Sequence, residues 1–142
     1  MKKFLSIGFL KALVAISFAQ SVPQASVPSP VMMSFKKQFP TVSEKIKWEK
    51  EEMNYEAEFM LKGVETSATF KSDGTLLEVE KEIPQSELPD AAKQYLQSKY
   101  PGVKVSETAK ITDGKGVVTY EVEIKKMDLI FDSAGTFVKQ NK

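Results

Sequence analysis

From residue 28 onward, the apolar positions of the chain change period twice, in the same way each time. Val31, Met32, Phe35 and Phe39 recur at the three- and four-residue spacing of one helical face, and Pro40 ends the run. Ser29 suits the cap of that helix and Pro30 its first turn. The period then falls to two. Ile46 and Trp48 share a side, and Tyr55, Ala57, Phe59 and Leu61 alternate with Glu56, Glu58, Met60 and Lys62. Val64, Thr66, Ala68 and Phe70 continue the alternation, Ser72-Asp73-Gly74-Thr75 supplies a hairpin turn, and Leu77, Val79 and Ile83 form the inward set of a further strand. Such alternation marks antiparallel strands with one face on a core and one toward water. A second round follows: Leu88-Pro89-Asp90 opens a helix with Ala92 and Leu96 on one face, Tyr100-Pro101 closes it, and strands run on through Phe137.

The two rounds are copies. With an offset of 61 residues, Pro28 meets Pro89, Phe35 meets Leu96, Phe39-Pro40 meets Tyr100-Pro101, and Asp73-Gly74-Thr75 falls on Ala134-Gly135-Thr136. Between these blocks Tyr55-Glu56-Ala57-Glu58 meets Tyr120-Glu121-Val122-Glu123 at an offset of 65, so a four-residue insertion is followed by a compensating deletion. The predicted fold is α+β: two tandem copies of a helix packed on an antiparallel, roughly four-stranded sheet, residues 28–84 and 85–142.

The chain ahead of the repeats reads differently. Lys2 and Lys3 precede an apolar run over residues 4–18, and Ser17-Phe18-Ala19 offers small residues to a signal peptidase, which predicts a signal peptide over 1–19. The run is shorter than the roughly 20 apolar residues that span a bilayer, and Lys11 interrupts it, so no stable membrane insertion is expected after cleavage. Residues 20–27 are polar and proline-rich and read as an extended leader. No cysteine follows the apolar run to carry an acyl anchor, and a periplasmic or secreted protein is expected.

Two copies of this pattern resemble the beta-lactamase-inhibitor-like, PepSY-like family of small exported bacterial proteins. The residues that carry the resemblance are Phe39-Pro40, Trp48 before the strand at Tyr55, Phe70 with Asp73-Gly74, Leu88-Pro89, Tyr100-Pro101, Tyr120-Glu121-Val122, and Phe131 with Gly135. The resemblance implies a helix on an antiparallel sheet in each unit, an exported location, and the inhibitory or ligand-binding behaviour of the family's namesakes. It implies no chemistry residue by residue. In one departure, the second unit has Glu107 and Ala109 where the first has Ile46 and Trp48, which predicts a bulge or a thinner core there.

Composition narrows the function further. The chain has no histidine and no cysteine, which removes the usual neutral-pH general base, thiol nucleophiles and most transition-metal sites, so no enzyme and no cofactor are expected. All 20 basic residues are lysines; without residues 1–19 there are 17 of them against 19 acidic groups, a net charge of −2 that does not attract nucleic acid. The carboxylates Glu56/Glu58, Glu78/Glu80/Glu82 and Glu121/Glu123 lie about 6.5 to 7 Å apart along their strands, near the spacing of an inverting glycosidase. The commoner meaning is a solvated ladder paired with lysines 45, 47, 62, 71, 81 and 125. Asp73-Gly74, Asp113-Gly114 and Asp132 read as turns rather than calcium loops, and Trp48, Tyr55, Phe59, Phe70, Tyr120 and Phe131 as core. Met60, Leu76 and Ile130 are apolar residues expected on the polar face. The expected function is a non-enzymatic binding or inhibitory module meeting an envelope protein or peptide through Glu56, Glu58, Met60, Glu80, Glu121 and Glu123. The alternative is a carrier of a small ligand or metal ion in the crease between the units.

Overall fold

A computed structural model describes residues 19–43 and 45–142; the expected signal peptide, apart from Ala19, lies outside them. Its strands are β1 (Gln20–Val22), β2 (Lys47–Glu51), β3 (Asn54–Leu61), β4 (Val64–Lys71), β5 (Leu76–Glu82), β6 (Val105–Asp113), β7 (Val118–Ile124), β8 (Met127–Asp132) and β9 (Phe137–Asn141). Helix α1 (Ser29–Gln38) follows β1 and helix α2 (Asp90–Lys99) follows β5.

The expected pair of roughly four-stranded sheets is corrected to one nine-stranded antiparallel sheet, in which the spatial order is the chain order. The halves join through β5 and β6, paired from Glu78↔Asp113 to Glu82↔Ala109. The reason is the edge: an open strand presents unpaired N–H and C=O groups, and two such edges satisfy each other. The chain ahead of α1 also differs from a leader. Gln20–Val22 pairs with β2, and Val27 is buried in the core. Val22, Pro23 and the 3₁₀ turn Gln24–Ser26 recur 61 residues later as Ile83, Pro84 and the turn Gln85–Glu87. Thus β5 ends the first unit and does for the second what β1 does for the first.

Both helices cover the same face of the sheet. The apolar side chains follow one side through Ala57↔Ala68↔Val79↔Thr112, and Thr108, on that same side of β6, opposes Val122. Helix α1 buries Val31 and Phe35 against Trp48, Ala57, Phe59, Ala68 and Phe70. Helix α2 buries Ala92 and Leu96 against Val122, Ile124, Leu129 and Phe131. Helix α1 begins one residue earlier than its capping chemistry predicts and α2 opens at Asp90 as expected, with Pro28 and Pro89 at the cap positions and no side-chain cap; Met32 N–H donates to the Pro28 carbonyl and Lys93 N–H to that of Pro89, both at 3.1 Å. Each ends as expected, where an amide donates back to the last turn (Phe39 to Phe35, Tyr100 to Leu96) before the proline stop.

The repeat is also visible in two turns. Gly74 and Gly135 have φ of +90° and +85°, and a Cβ there would lie 2.6 Å from the Pro30 carbonyl oxygen or 2.7 Å from the Pro89 Cβ. Both hairpins are tucked under a helix N-terminus, where only glycine fits. The shift in offset has a structural cause: β3 and β4 form eight register pairs where β7 and β8 form six, while β6, with nine residues, is longer than β2, with five.

Candidate functional site

The face of the sheet turned away from α1 and α2 carries all six residues singled out from the sequence. Glu56, Glu58 and Met60 stand on β3, Glu80 on β5, and Glu121 and Glu123 on β7. Register adds Glu49 of β2 opposite Glu56, Glu78 of β5 opposite Asp113, Glu107 of β6 opposite Glu123, and Asp128 of β8 opposite Glu123. Ile111 faces Glu80 across one strand pair and Ile130 faces Glu121 across another.

No described helix lies over this face, yet Glu56, Ser67, Glu78, Glu80, Asp128, Ile111 and Ile130 are each less than a tenth exposed, Glu80 only 4%. A long sheet with the usual right-handed twist coils, so side chains of neighbouring strands shield one another. The result is a field of carboxylates removed from water, and such groups hold their protons more tightly. Burial, and then Glu78, Glu56, Glu107 and Asp128, push Glu80 up to about 8. Burial, and then Glu80, Asp128, Glu107 and Glu78, push Glu121 up to about 9. Glu107 is raised to about 7 by burial and by Glu123, Glu82, Glu65 and Asp128. Glu78 and Asp128 are raised as well, first by burial. These groups rise together, which is not the arrangement of an acid–base pair, where one carboxyl is held neutral beside another held ionised.

On this face Lys47 answers two carboxylates. Lys47 Nζ donates to Glu49 Oε1 and, at 3.0 Å, to Glu58 Oε2. Glu49, Glu56 and Glu58 are also the three residues that, among those described, bring their carboxylate oxygens within 4.8 Å of one another. Three members of the wider lysine ladder stand elsewhere: Lys81 opposes Thr66 and Lys110 on the helix side, while Lys62 and Lys125 sit in hairpin turns. The aspartates act as turn residues, as expected. Asp73 Oδ1 accepts from Thr75 N–H, Asp113 Oδ1 from Lys115 and Val117, and Asp132 Oδ1 from Ala134 and Thr136.

Two expectations change with register. A bulge between Thr69 and Phe70 sets Leu76 opposite Phe70, so Leu76 packs into the first core, not on the polar face. A bulge between Val105 and Glu107 is the one predicted from the departure in the second unit: it sets Thr108, not Ala109, where the first unit has Trp48, and turns Glu107 onto the acidic face. Glu107 was therefore hidden to sequence reading by a one-residue slip, whereas Glu49 and Asp128 follow from simple alternation once the register is known. The sheet is continuous where the halves meet. A cleft of about 400 Å³ lies within the second unit, under α2, lined by Leu96, Tyr100, Val105 and Ile124.

Comparison with known proteins agrees with this architecture. The family model described as "Putative beta-lactamase-inhibitor-like, PepSY-like" matches twice, over residues 16–64 and 54–139. A "putative periplasmic" protein from Bacteroides eggerthii superimposes with a TM-score of 0.75 at 19% identity, covering 81% of this chain and 88% of its own. A DUF2874 family protein from Bacteroides uniformis gives 0.73 at 21% identity, over 80% and 88% of the two chains. A BLIP-like protein from Bacteroides fragilis gives 0.69 at 23% identity, over 84% and 86%. No curated protein matches the chain. With two overlapping family matches that together span nearly all of the described fold, the chain belongs to the beta-lactamase-inhibitor-like, PepSY-like family.

Proposed function

We propose that the protein is an exported, non-enzymatic binding or inhibitory module whose helix-free sheet face meets a protein or peptide of the bacterial envelope. The observation that carries this reading is the burial of carboxylates on a face that no described helix covers. Holding carboxylates out of water costs free energy, and a surface that sustains this cost over several strands is organised for something other than its own stability. A sheet face also offers the roughly 800 Å² per partner of a specific protein interface without needing a pocket. Charged groups there set orientation and association rate more than affinity. A periplasmic or secreted location is supported by the lysine-led apolar segment at residues 4–18.

The test is a pull-down from an envelope fraction with the chain from Gln20 onward, beside a variant carrying Glu56→Lys, Glu58→Lys and Met60→Asp whose fold is checked by circular dichroism. A protein held by the first and lost from the second supports the reading. Identical recovery from both, with the variant folded, overturns it.

A further inference from the structure

We propose that the partner of this face is a basic, extended polypeptide segment whose lysine or arginine side chains seat among Glu80, Glu107, Glu121 and Asp128. The proposal rests on the binding-face reading and names the chemistry of its partner.

Three observations converge on it. First, Glu80 is 4% exposed, and its carboxylate has no hydrogen bond or ion pair among the described residues. Ser67 of β4 and Ile111 of β6 lie directly beside it, and the charged groups that act on it are all acidic: Glu56 from β3, Glu78 from its own strand, Glu107 from β6, Glu121 from β7 and Asp128 from β8. Second, the molecule already displays the cation that suits this face, because Lys47 Nζ bridges Glu49 and Glu58 on the same side of the sheet. Third, the central carboxylates are spread, not convergent. Three carboxylate oxygens come within 4.8 Å of one another at Glu49, Glu56 and Glu58, and no other such group occurs among the described residues. A single divalent ion needs converging oxygens at roughly 2.0 to 2.6 Å. The four carboxylates stand one to a strand on β5, β6, β7 and β8, and neighbouring strands lie about 4.8 Å apart, so the acidic field runs across the sheet over a span that an extended segment with several basic side chains can follow. Ile111 and Ile130, buried between the acids, offer apolar surface to the methylene stems of those side chains.

The seating of ammonium or guanidinium groups ionises carboxyls that otherwise hold protons near neutral pH, so binding releases protons to solvent. The probe is octalysine, titrated calorimetrically at about pH 7.5 in two buffers of different ionisation enthalpy, which counts the protons released. Octalysine is expected to bind with proton release. Glu80→Gln with Glu121→Gln is expected to weaken it about tenfold or more, while Glu87→Gln with Asp90→Asn, which removes two carboxyl groups near α2, leaves it unchanged. Gln replaces a carboxyl that is neutral when free, so the first variant is expected to fold. Absence of octalysine binding, binding without proton release, or equal weakening by both variants overturns the proposal. Calcium chloride in place of octalysine is the second arm, and tight calcium binding lost with Glu80→Gln while octalysine fails to bind overturns it in favour of a metal ion. If octalysine fails while the envelope partner is still lost from the face variant, the basic partner alone is wrong; if neither responds, the binding-face reading falls too.

Discussion

The two halves share a fold but not a filling. In the first, the Phe35 ring lies 5.3 Å from Phe39, 5.4 Å from Trp48, 5.0 Å from Phe59 and 6.4 Å from Phe70. In the second, the corresponding positions are Leu96, Tyr100, Thr108, Ile124 and Phe131, so only Phe70 keeps its chemistry. The rings reappear elsewhere, with Tyr95 stacked on Phe137 at 4.8 Å, and the cleft under α2 opens beside Ile124 where the first half has Phe59. The other face diverges in parallel: Lys47 bridges acids in the first half, while Glu107, Glu121 and Asp128 in the second lack such a bridge among the described residues. The backbone pattern thus survives a change of core provided each strand keeps its inward set, and the second half has the looser packing and outer-face acids that no lysine bridges as Lys47 does in the first, among the described residues.

The strongest way to break this comparison is to truncate equivalent helix residues. Phe35→Ala is expected to cost about 3 to 5 kcal/mol, because the cavity it leaves is enclosed by rings that cannot collapse far. Leu96→Ala is expected to cost nearer 2 to 3 kcal/mol, since that side chain already lines a cleft and loses less packing. Urea unfolding of both measures the difference; equal losses would mean that the two cores are equally consolidated.

A smaller effect sharpens the contrast on the outer face. Glu80, Glu107 and Glu121 have folded-state values raised to about 8, 7 and 9, above the ordinary carboxylate value of the unfolded chain. Between those limits the folded state binds more protons than the unfolded state, so stability falls as pH rises. It is fully present below the unfolded value and is lost through the window from about pH 5 to pH 9, by on the order of a few kcal/mol, since Glu107 and Glu121 keep some access to solvent. Glu80→Gln and Glu121→Gln should each flatten the slope of stability against pH. An unchanged slope in both variants would mean that the carboxylates are hydrated and ionised in the fold.

Much of this arrangement was legible in the chain. Phe35, Ala57, Phe59 and Phe70 announce their burial by period alone, and the recurrence of Phe39-Pro40 as Tyr100-Pro101 reveals the duplication. Alternation says which face a side chain takes but not which strand lies alongside, so the joining of β5 to β6 was not readable. β1 was missed because Gln20-Ser21-Val22 is short and mostly polar; it is a strand by virtue of its pairing with β2. Leu76 falls on the other face from the one expected because a bulge separates it from Glu78, and the bulge expected as one alternative before Glu107 turns that residue outward, since one extra residue inverts the pattern. Of the candidate site, the six named residues were placed on their common face by alternation, but their burial was not foreseen, since it arises from the coil of nine strands and has no local signature.

The smallest expected effect probes the cleft itself. Ile124 is fully buried at the cleft wall, and its counterpart Phe59 fills the same position in the first half, its ring 4.7 Å from that of Phe39. Ile124→Phe extends a ring toward Tyr100, the counterpart of Phe39, and buries apolar area now facing open space. A gain of about 1 kcal/mol is expected, measured as a rise in Tm of a few degrees. Phe59→Ile is the reciprocal change, with an expected loss of about 1 to 2 kcal/mol as a cleft opens in the first half. If Ile124→Phe destabilises instead, the added ring is overpacked: Leu96 and Val105 then hold the cleft to a shape that the aromatic pair cannot enter, and the two cores differ in backbone spacing as well as in side-chain size.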